Sequence, residues 1–176
     1  MMQNIHFKAP NCWINDPNGF IWYKGQYHLF YQCFPYAPQW GRMHWGHAVS
    51  KDLVNWEEKG IALYPTKTDD RSGCFSGSAV EQDGTLYLFY TGVNYLEENP
   101  EDINQCQNDQ FLAAQLMISS DDGMTFDNVK KKRRSFHPLQ KNRLTVKPTP
   151  VPKRYGVEKM HGIWFWEAPL TTRADC

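Results

Sequence analysis

Two stretches of this chain repeat one another. Tyr27-His28-Leu29-Phe30-Tyr31-Gln32 lines up with Leu86-Tyr87-Leu88-Phe89-Tyr90-Thr91, and "HAVSKDLVNW" (47–56) lines up with "QLMISSDDGMTF" (115–126). Each copy alternates apolar and polar side chains, the period of a half-buried strand, and no long 3.6-residue pattern competes with it before residue 130. "FIWY" and "YHLFYQ" flank Lys24-Gly25-Gln26, and "SAVEQ" and "LYLFYTG" flank Asp83-Gly84-Thr85, so each copy is expected to contain a hairpin with a glycine-bearing turn. The unit returns after roughly 60 to 70 residues and holds about four short strands, the reading of a propeller blade. A β-sandwich also fits the alternation, but it does not require the internal similarity. Blades bury their faces against neighbouring blades, so two of them cannot close a propeller. The expectation is therefore an all-β chain that supplies about two blades of a partial propeller.

The bulk composition excludes little but sharpens this. The length of 176 residues suits one domain, and aromatics make up 15% of it, with seven Trp. No run of about 18 apolar residues is present to span a membrane, and "MMQNIHFKAPNCW" has neither a basic nor an apolar leader region. The five cysteines are scattered and odd in number, with no Cys-x-x-Cys spacing, which predicts thiols in a reducing cytoplasm. The formal net charge of zero conceals a break. Residues 1–129 carry 7 Lys and Arg against 16 Asp and Glu, whereas residues 130–176 carry 12 against 3. Such a basic segment could neutralise phosphates, yet its "GIWFW" has neither helical nor strand period, and no nucleic-acid partner is expected.

Chemistry concentrates near the start. "WINDPNGF" (13–20) sets one carboxylate among turn-forming residues, directly after a tryptophan. Gln32, Trp40, His44, Trp45 and His47 follow in a short span, and "GCFSGSAV" places Phe75 and Ser76 among small residues. Aromatic faces cover the apolar faces of sugars and amides bind their hydroxyls, so this set suits a carbohydrate site. His44 and His47 lie in a strand-like stretch and are read as structural.

Taken together, "WINDPNG", "FYQ", "WGHAVSKDLVNW", "GIALYP", "GCFSGSAV" and "LFYTGV" resemble, in order, the family 32 glycoside hydrolases, the β-fructofuranosidases, over about residues 5 to 129. The resemblance implies a five-bladed β-propeller and retaining hydrolysis of β-fructosides such as sucrose, sucrose 6-phosphate or fructans. It implies that Asp16 is the nucleophile, that Trp13, Ile14 and Asn15 line the fructose pocket, and that Gln32, Trp40, Phe75 and Ser76 contact substrate. The implied partner is a small sugar, with no metal, cofactor or membrane. A sugar-binding module without catalysis is the alternative.

A retaining glycosidase also needs a second carboxyl group about 5–5.5 Å from the first. The family takes it from a Glu-Cys-Pro segment, and it takes a further Asp from an Arg-Asp-Pro segment that this chain lacks. "WEAP" (166–169) imitates the former through Glu167, in surroundings that do not read as a blade. Back-translated and read two nucleotides out of frame, "RYGVEKMHGIWFWEA" permits a string resembling the family's segment after Arg-Asp-Pro. The expectation is thus an N-terminal part of a family 32 enzyme over residues 1–129, weakly active or inactive alone. Residues 130–176 are expected to be an irregular, out-of-frame tail joined near Lys130-Lys131-Lys132.

Overall fold

The computed structural model describes residues 7–8, 12–108 and 110–134, together with the backbone of 157–160 and 163–166. The first unit of the chain, Met1–Arg134, contains two four-stranded antiparallel sheets. The first has the order β1 (Trp13–Tyr23), β2 (Gln26–Phe34), β3 (His44–Ser50), β4 (Trp56–Leu63); the second has β5 (Gly73–Gln82), β6 (Thr85–Tyr95), β7 (Phe111–Ser120), β8 (Lys132–Arg133). Simple up-and-down order, four strands and a repeated sequence make these two propeller blades.

Local chemistry fixes the hairpins. Lys24 and Gly25 (φ 45° and 81°) and Asp83 and Gly84 (φ 53° and 80°) both occupy the left-handed region, the pattern of a two-residue type I′ turn. Gln26 and Thr85, expected in the turns, already belong to the following strands. The second repeated segment also folds twice in the same way. Ser50 Oγ accepts the Leu53 N–H at 2.9 Å while Asp52 Oδ1 accepts those of Val54 and Asn55; Ser120 Oγ accepts the Gly123 N–H at 2.9 Å while Asp122 Oδ1 accepts those of Met124 and Thr125. Those backbone N–H groups hold both carboxyls well below the usual carboxylate range.

Every residue of β3 is buried, and the core gathers Tyr23, Phe30, Trp45 and Leu63 from the first blade with Leu86, Leu88, Tyr90 and Leu116 from the second. His28 and His47 lie inside it, with His28 Nδ1 3.0 Å from His47 Nε2 and the His47 ring stacked on Phe30. A charged group is buried in the second blade as well. Asp70 Oδ2 accepts from Lys131 Nζ at 2.7 Å and from the Tyr90 hydroxyl at 2.7 Å, its Oδ1 accepts the N–H groups of Thr66 and Lys67, and the side chains of the ion pair are wholly enclosed. Burial alone would raise the Asp70 carboxyl, but the ammonium and these donors outweigh it and hold the group low.

Lys131 therefore belongs to the blades, as do Lys132 and Arg133 in β8 and Arg134, whose N–H donates to the Gln115 carbonyl. The first unit thus runs past the charge break at residue 130 that composition marks, because a basic run can also hold a buried cation and a pairing strand. The second unit, Ser135–Cys176, contains one described antiparallel pair, β9 (Val157–Met160) and β10 (Ile163–Trp166), within the stretch expected to be irregular. The β-prone Ile-Trp-Phe-Trp run accounts for the strand. Glu167 and the rest of the expected tail lie outside the described residues.

Candidate active site

Asp16 does not sit in a turn. "WINDPNGF" is the first part of strand β1, interrupted by two β-bulges. Ile14 pairs with Cys33 and Pro17 with Tyr31, so Asn15 and Asp16 together face the single residue Gln32. Asn18 pairs with Phe30 and Ile21 with His28, which leaves Gly19 and Phe20 against Leu29; Gly19 takes φ 51°. A bulge inserts a residue, disrupts the ladder locally and re-aims the side chain that it carries. Pro17 is tolerated because β1 is the edge strand of its sheet, where a missing N–H costs no ladder bond on the outer side. Asn, Pro and Gly thus serve the bulge for the same backbone reasons that would have served a turn.

The second blade repeats the device. Phe75 pairs with Thr91 and Gly77 with Tyr90, so Ser76 is the extra residue of a bulge in β5, again the first strand of its sheet. The two bulges meet. Ser76 Oγ donates to Asp16 Oδ2 at 2.5 Å, and one residue on, the Gly77 N–H donates to Asn18 Oδ1 at 3.2 Å.

Amides and rings extend from this pair. Trp13 Nε1 donates to Asn15 Oδ1 at 3.1 Å, and Asn15 Nδ2 donates to Gln32 Oε1, fixing the orientation of three expected pocket residues in one chain of bonds. Gln32 is buried, and its Nε2 has no partner among the described residues. Trp40 meets Phe75 edge-on with ring centroids 6.3 Å apart, and Trp45 Nε1 donates to the Phe75 carbonyl at 3.2 Å. Asp16, Asn15, Trp13 and Ser76 are exposed, with Trp40 and Phe75 half-buried, so the carboxylate faces an accessible surface walled by aromatic groups. Ile14 stands apart from the expected set. Alternation along the strand turns it away from Trp13 and Asn15, into a hydrophobic cluster with Tyr31, Cys33 and Ala48.

Sequence reasoning passed over Asn18 and Gly77, whose contact lies beside the Asp16–Ser76 bond; the only signal was the second asparagine of the "NDPNG" stretch. His44 and His47 are buried in β3, with His44 Nδ1 2.8 Å from the Arg42 carbonyl. Burial lowers both rings, and His47, also beside His28 and Lys59, is pushed down to about 3. Among the described residues no group of three or more His, Cys, Asp or Glu gathers as a metal site. A groove of about 780 Å³ is lined by residues including Phe34, Tyr36, Arg42, Tyr64 and Arg71; Asp16 and Ser76 are not among them.

Known proteins share the sequence pattern and the fold of these two blades. The profile described as "Glycosyl hydrolases family 32 N-terminal domain" matches residues 6–146. The chain belongs to glycosyl hydrolase family 32. It is 49% identical to a sucrose-6-phosphate hydrolase of Zymomonas mobilis over 123 residues, which is 69% of this chain and 22% of that protein. It is 56% identical to the levanase of Bacillus subtilis over 87 residues, 49% of this chain and 12% of that protein. Among solved structures, a family 32 glycoside hydrolase from Bifidobacterium adolescentis superposes with a TM-score of 0.64 at 30% identity, covering 77% of this chain and 22% of the other. A mutant of the Bombyx mori β-fructofuranosidase in complex with sucrose superposes with a TM-score of 0.59 at 37% identity, covering 76% and 25%. The chain therefore spans about a fifth to a quarter of the length of the sucrose-6-phosphate hydrolases that it matches.

Proposed function

We propose that this chain carries the nucleophile and part of the fructose pocket of a retaining β-fructofuranosidase. The bond from Ser76 to Asp16 across two facing bulges carries the reading. An attacking carboxylate must be held at a fixed angle to the anomeric carbon, and a hydroxyl donor from a second strand fixes that orientation. In the proposed reaction Asp16 displaces the leaving alcohol from the anomeric carbon, forming a fructosyl ester, and water then hydrolyses that ester. The leaving oxygen takes its proton from a second carboxylic acid, which then acts as base towards the water. No residue of this chain is assigned that part, and the chain alone is expected to turn over weakly or not at all. Trp13, Asn15, Gln32, Trp40 and Phe75 would hold the fructosyl half that sucrose, its 6-phosphate and fructans share. The scattered cysteines without Cys-x-x-Cys spacing support a cytoplasmic setting; among the described residues no helix is long and apolar enough to cross a membrane.

Calorimetry with fructose and sucrose, beside an assay for released glucose, tests the reading. Binding with little release is the expected result, and the same result in a chain extended to supply the acid would instead favour a non-catalytic sugar-binding module. Absence of binding would overturn both. The family profile matches this frame to residue 146, past the join expected at Lys130-Lys131-Lys132, and we further propose that the residues beyond that match are read out of frame. The nucleotide sequence from the lysine codons to beyond the codon of residue 146 decides this, and an intact downstream frame with no fructosidase-like alternative would refute it.

A further inference from the structure

Asn18 stands between the two bulges of β1, is only 3% exposed, and among the described residues makes one side-chain hydrogen bond, from the Gly77 N–H to its Oδ1 at 3.2 Å. Its Nδ2 has no partner among the described residues, so nothing else among them holds this amide in place. Gly77 is a firm anchor. A Cβ there would lie 2.0 Å from the Phe89 carbonyl oxygen and 2.7 Å from the Tyr90 Cα, so β5 is pressed against β6 at this point. The preceding residue, Ser76, is the bulged one whose hydroxyl reaches Asp16.

We infer that Asn18 is a positioning residue: by clamping the Gly77 amide it locks the two bulges in mutual register and keeps the Ser76 hydroxyl on Asp16. An uncharged acceptor on a short side chain is what the place requires. An aliphatic side chain would leave the Gly77 amide beside a disrupted ladder without its acceptor. A carboxylate would accept equally well but would set a second negative charge two residues from Asp16. The catalytic meaning of the clamp rests on the reading of Asp16 as the attacking group, while its geometry does not.

Amide hydrogen exchange and three-bond couplings on the unaltered chain and its Asn18 variants test the inference. In Asn18→Ala the Gly77 amide exchanges at least tenfold faster, amides of Leu88 and Tyr90 keep their rates, and the Ser76 side chain changes from one rotamer to an average. Asn18→Asp, which retains the acceptor, restores Gly77 protection. Unchanged Gly77 exchange in Asn18→Ala, an unchanged Ser76 rotamer, or no restoration in Asn18→Asp would overturn the clamp. Should Asn18→Ala fail to fold, the unaltered chain decides: a Gly77 amide exchanging at the unprotected rate overturns the inference, and a protected one supports it. A parallel fructose titration separates the two readings. No heat with the unaltered chain removes the sugar site and leaves the clamp to be judged on exchange and rotamer alone.

Discussion

The first blade leaves three buried polar side-chain atoms without a partner among the described residues, Asn18 Nδ2, His28 Nε2 and Gln32 Nε2, whereas the second leaves one, Asn94 Oδ1. The second blade instead encloses Asp70 with Lys131, Tyr90 and two backbone donors, so that its buried charge is fully engaged. Both blades have the same strand order and a bulged first strand, with two bulges in β1 and one in β5. They differ in where hydrogen-bonding capacity is left unspent. Buried polar groups are ordinarily satisfied, and exceptions call for a reason. Gln32 lies opposite the bulge that carries Asp16, Asn18 lies just beyond that bulge, and His28 lies in the core beside His47.

The contrast can be broken most sharply at the two bulges. In a chain extended by the downstream part of a family 32 enzyme, Asp16→Ala should lower glucose release from sucrose by on the order of 10⁴-fold or more, since it removes the proposed attacking group. Ser76→Ala should cost only about 10- to 100-fold, the worth of one hydrogen bond to a charged group. Equal losses in the two variants would show that the blades share the chemistry evenly, and Asp16 would lose its place as the attacking group.

The enclosed charge of the second blade comes next. Lys131→Met leaves Asp70 buried without its cation and should lower stability by about 3–5 kcal/mol in urea unfolding. Adding Asp70→Asn, which keeps an acceptor for the Thr66 and Lys67 amides, should recover more than half of that loss. A single variant within experimental error of the parent would place Lys131 in solvent.

The histidines of the first blade make a pH prediction. Burial lowers His28, and burial together with His28 and Lys59 pushes His47 down to about 3 from an ordinary value of 6.5. Below pH 6.5 the unfolded chain binds protons that the folded pair refuses, so stability falls as pH falls from 6.5 towards 3. The slope reaches at most about 1.4 kcal/mol per pH unit for each ring. His47→Phe should flatten that slope, and an unchanged slope would remove the pair as its cause.

The smallest effect concerns the repeated turn. Leu53 (φ 65°) occupies the left-handed position that Gly123 (φ 75°) takes in the second copy. Leu53→Gly should be neutral or stabilising by less than about 1 kcal/mol, as lost strain offsets glycine's entropy. Gly123→Ala should destabilise, because its Cβ would also lie 2.7 Å from the Tyr23 ring. Thermal melts of the two variants, shifting in opposite directions, would check both.

Much of this was legible in the sequence. Period-2 alternation and the Lys24-Gly25 and Asp83-Gly84 dipeptides mark the hairpins directly, and the internal similarity marks the blades. Asp16, Asn15 and Ser76 could be singled out through the family resemblance. The bulges could not be read, because the Asn-Pro-Gly chemistry that permits a bulge is the same that permits a turn, and one inserted residue leaves no periodic trace. Lys131 was hidden for another reason. In a run of five basic residues nothing local distinguishes the one whose partner, Asp70, lies 61 positions earlier.

Pro17 has a consequence beyond the site. The outer edge of a sheet invites a stray chain to add itself, and β1 is such an edge, with aromatic Phe20 and Trp22 standing 56% and 53% exposed along it. A strand arriving there would meet a rung with no proton to offer and an uneven spacing on either side of it, and could not zip on. The bulge that sets Asp16 against Ser76 thereby also makes this edge a poor template for an added strand.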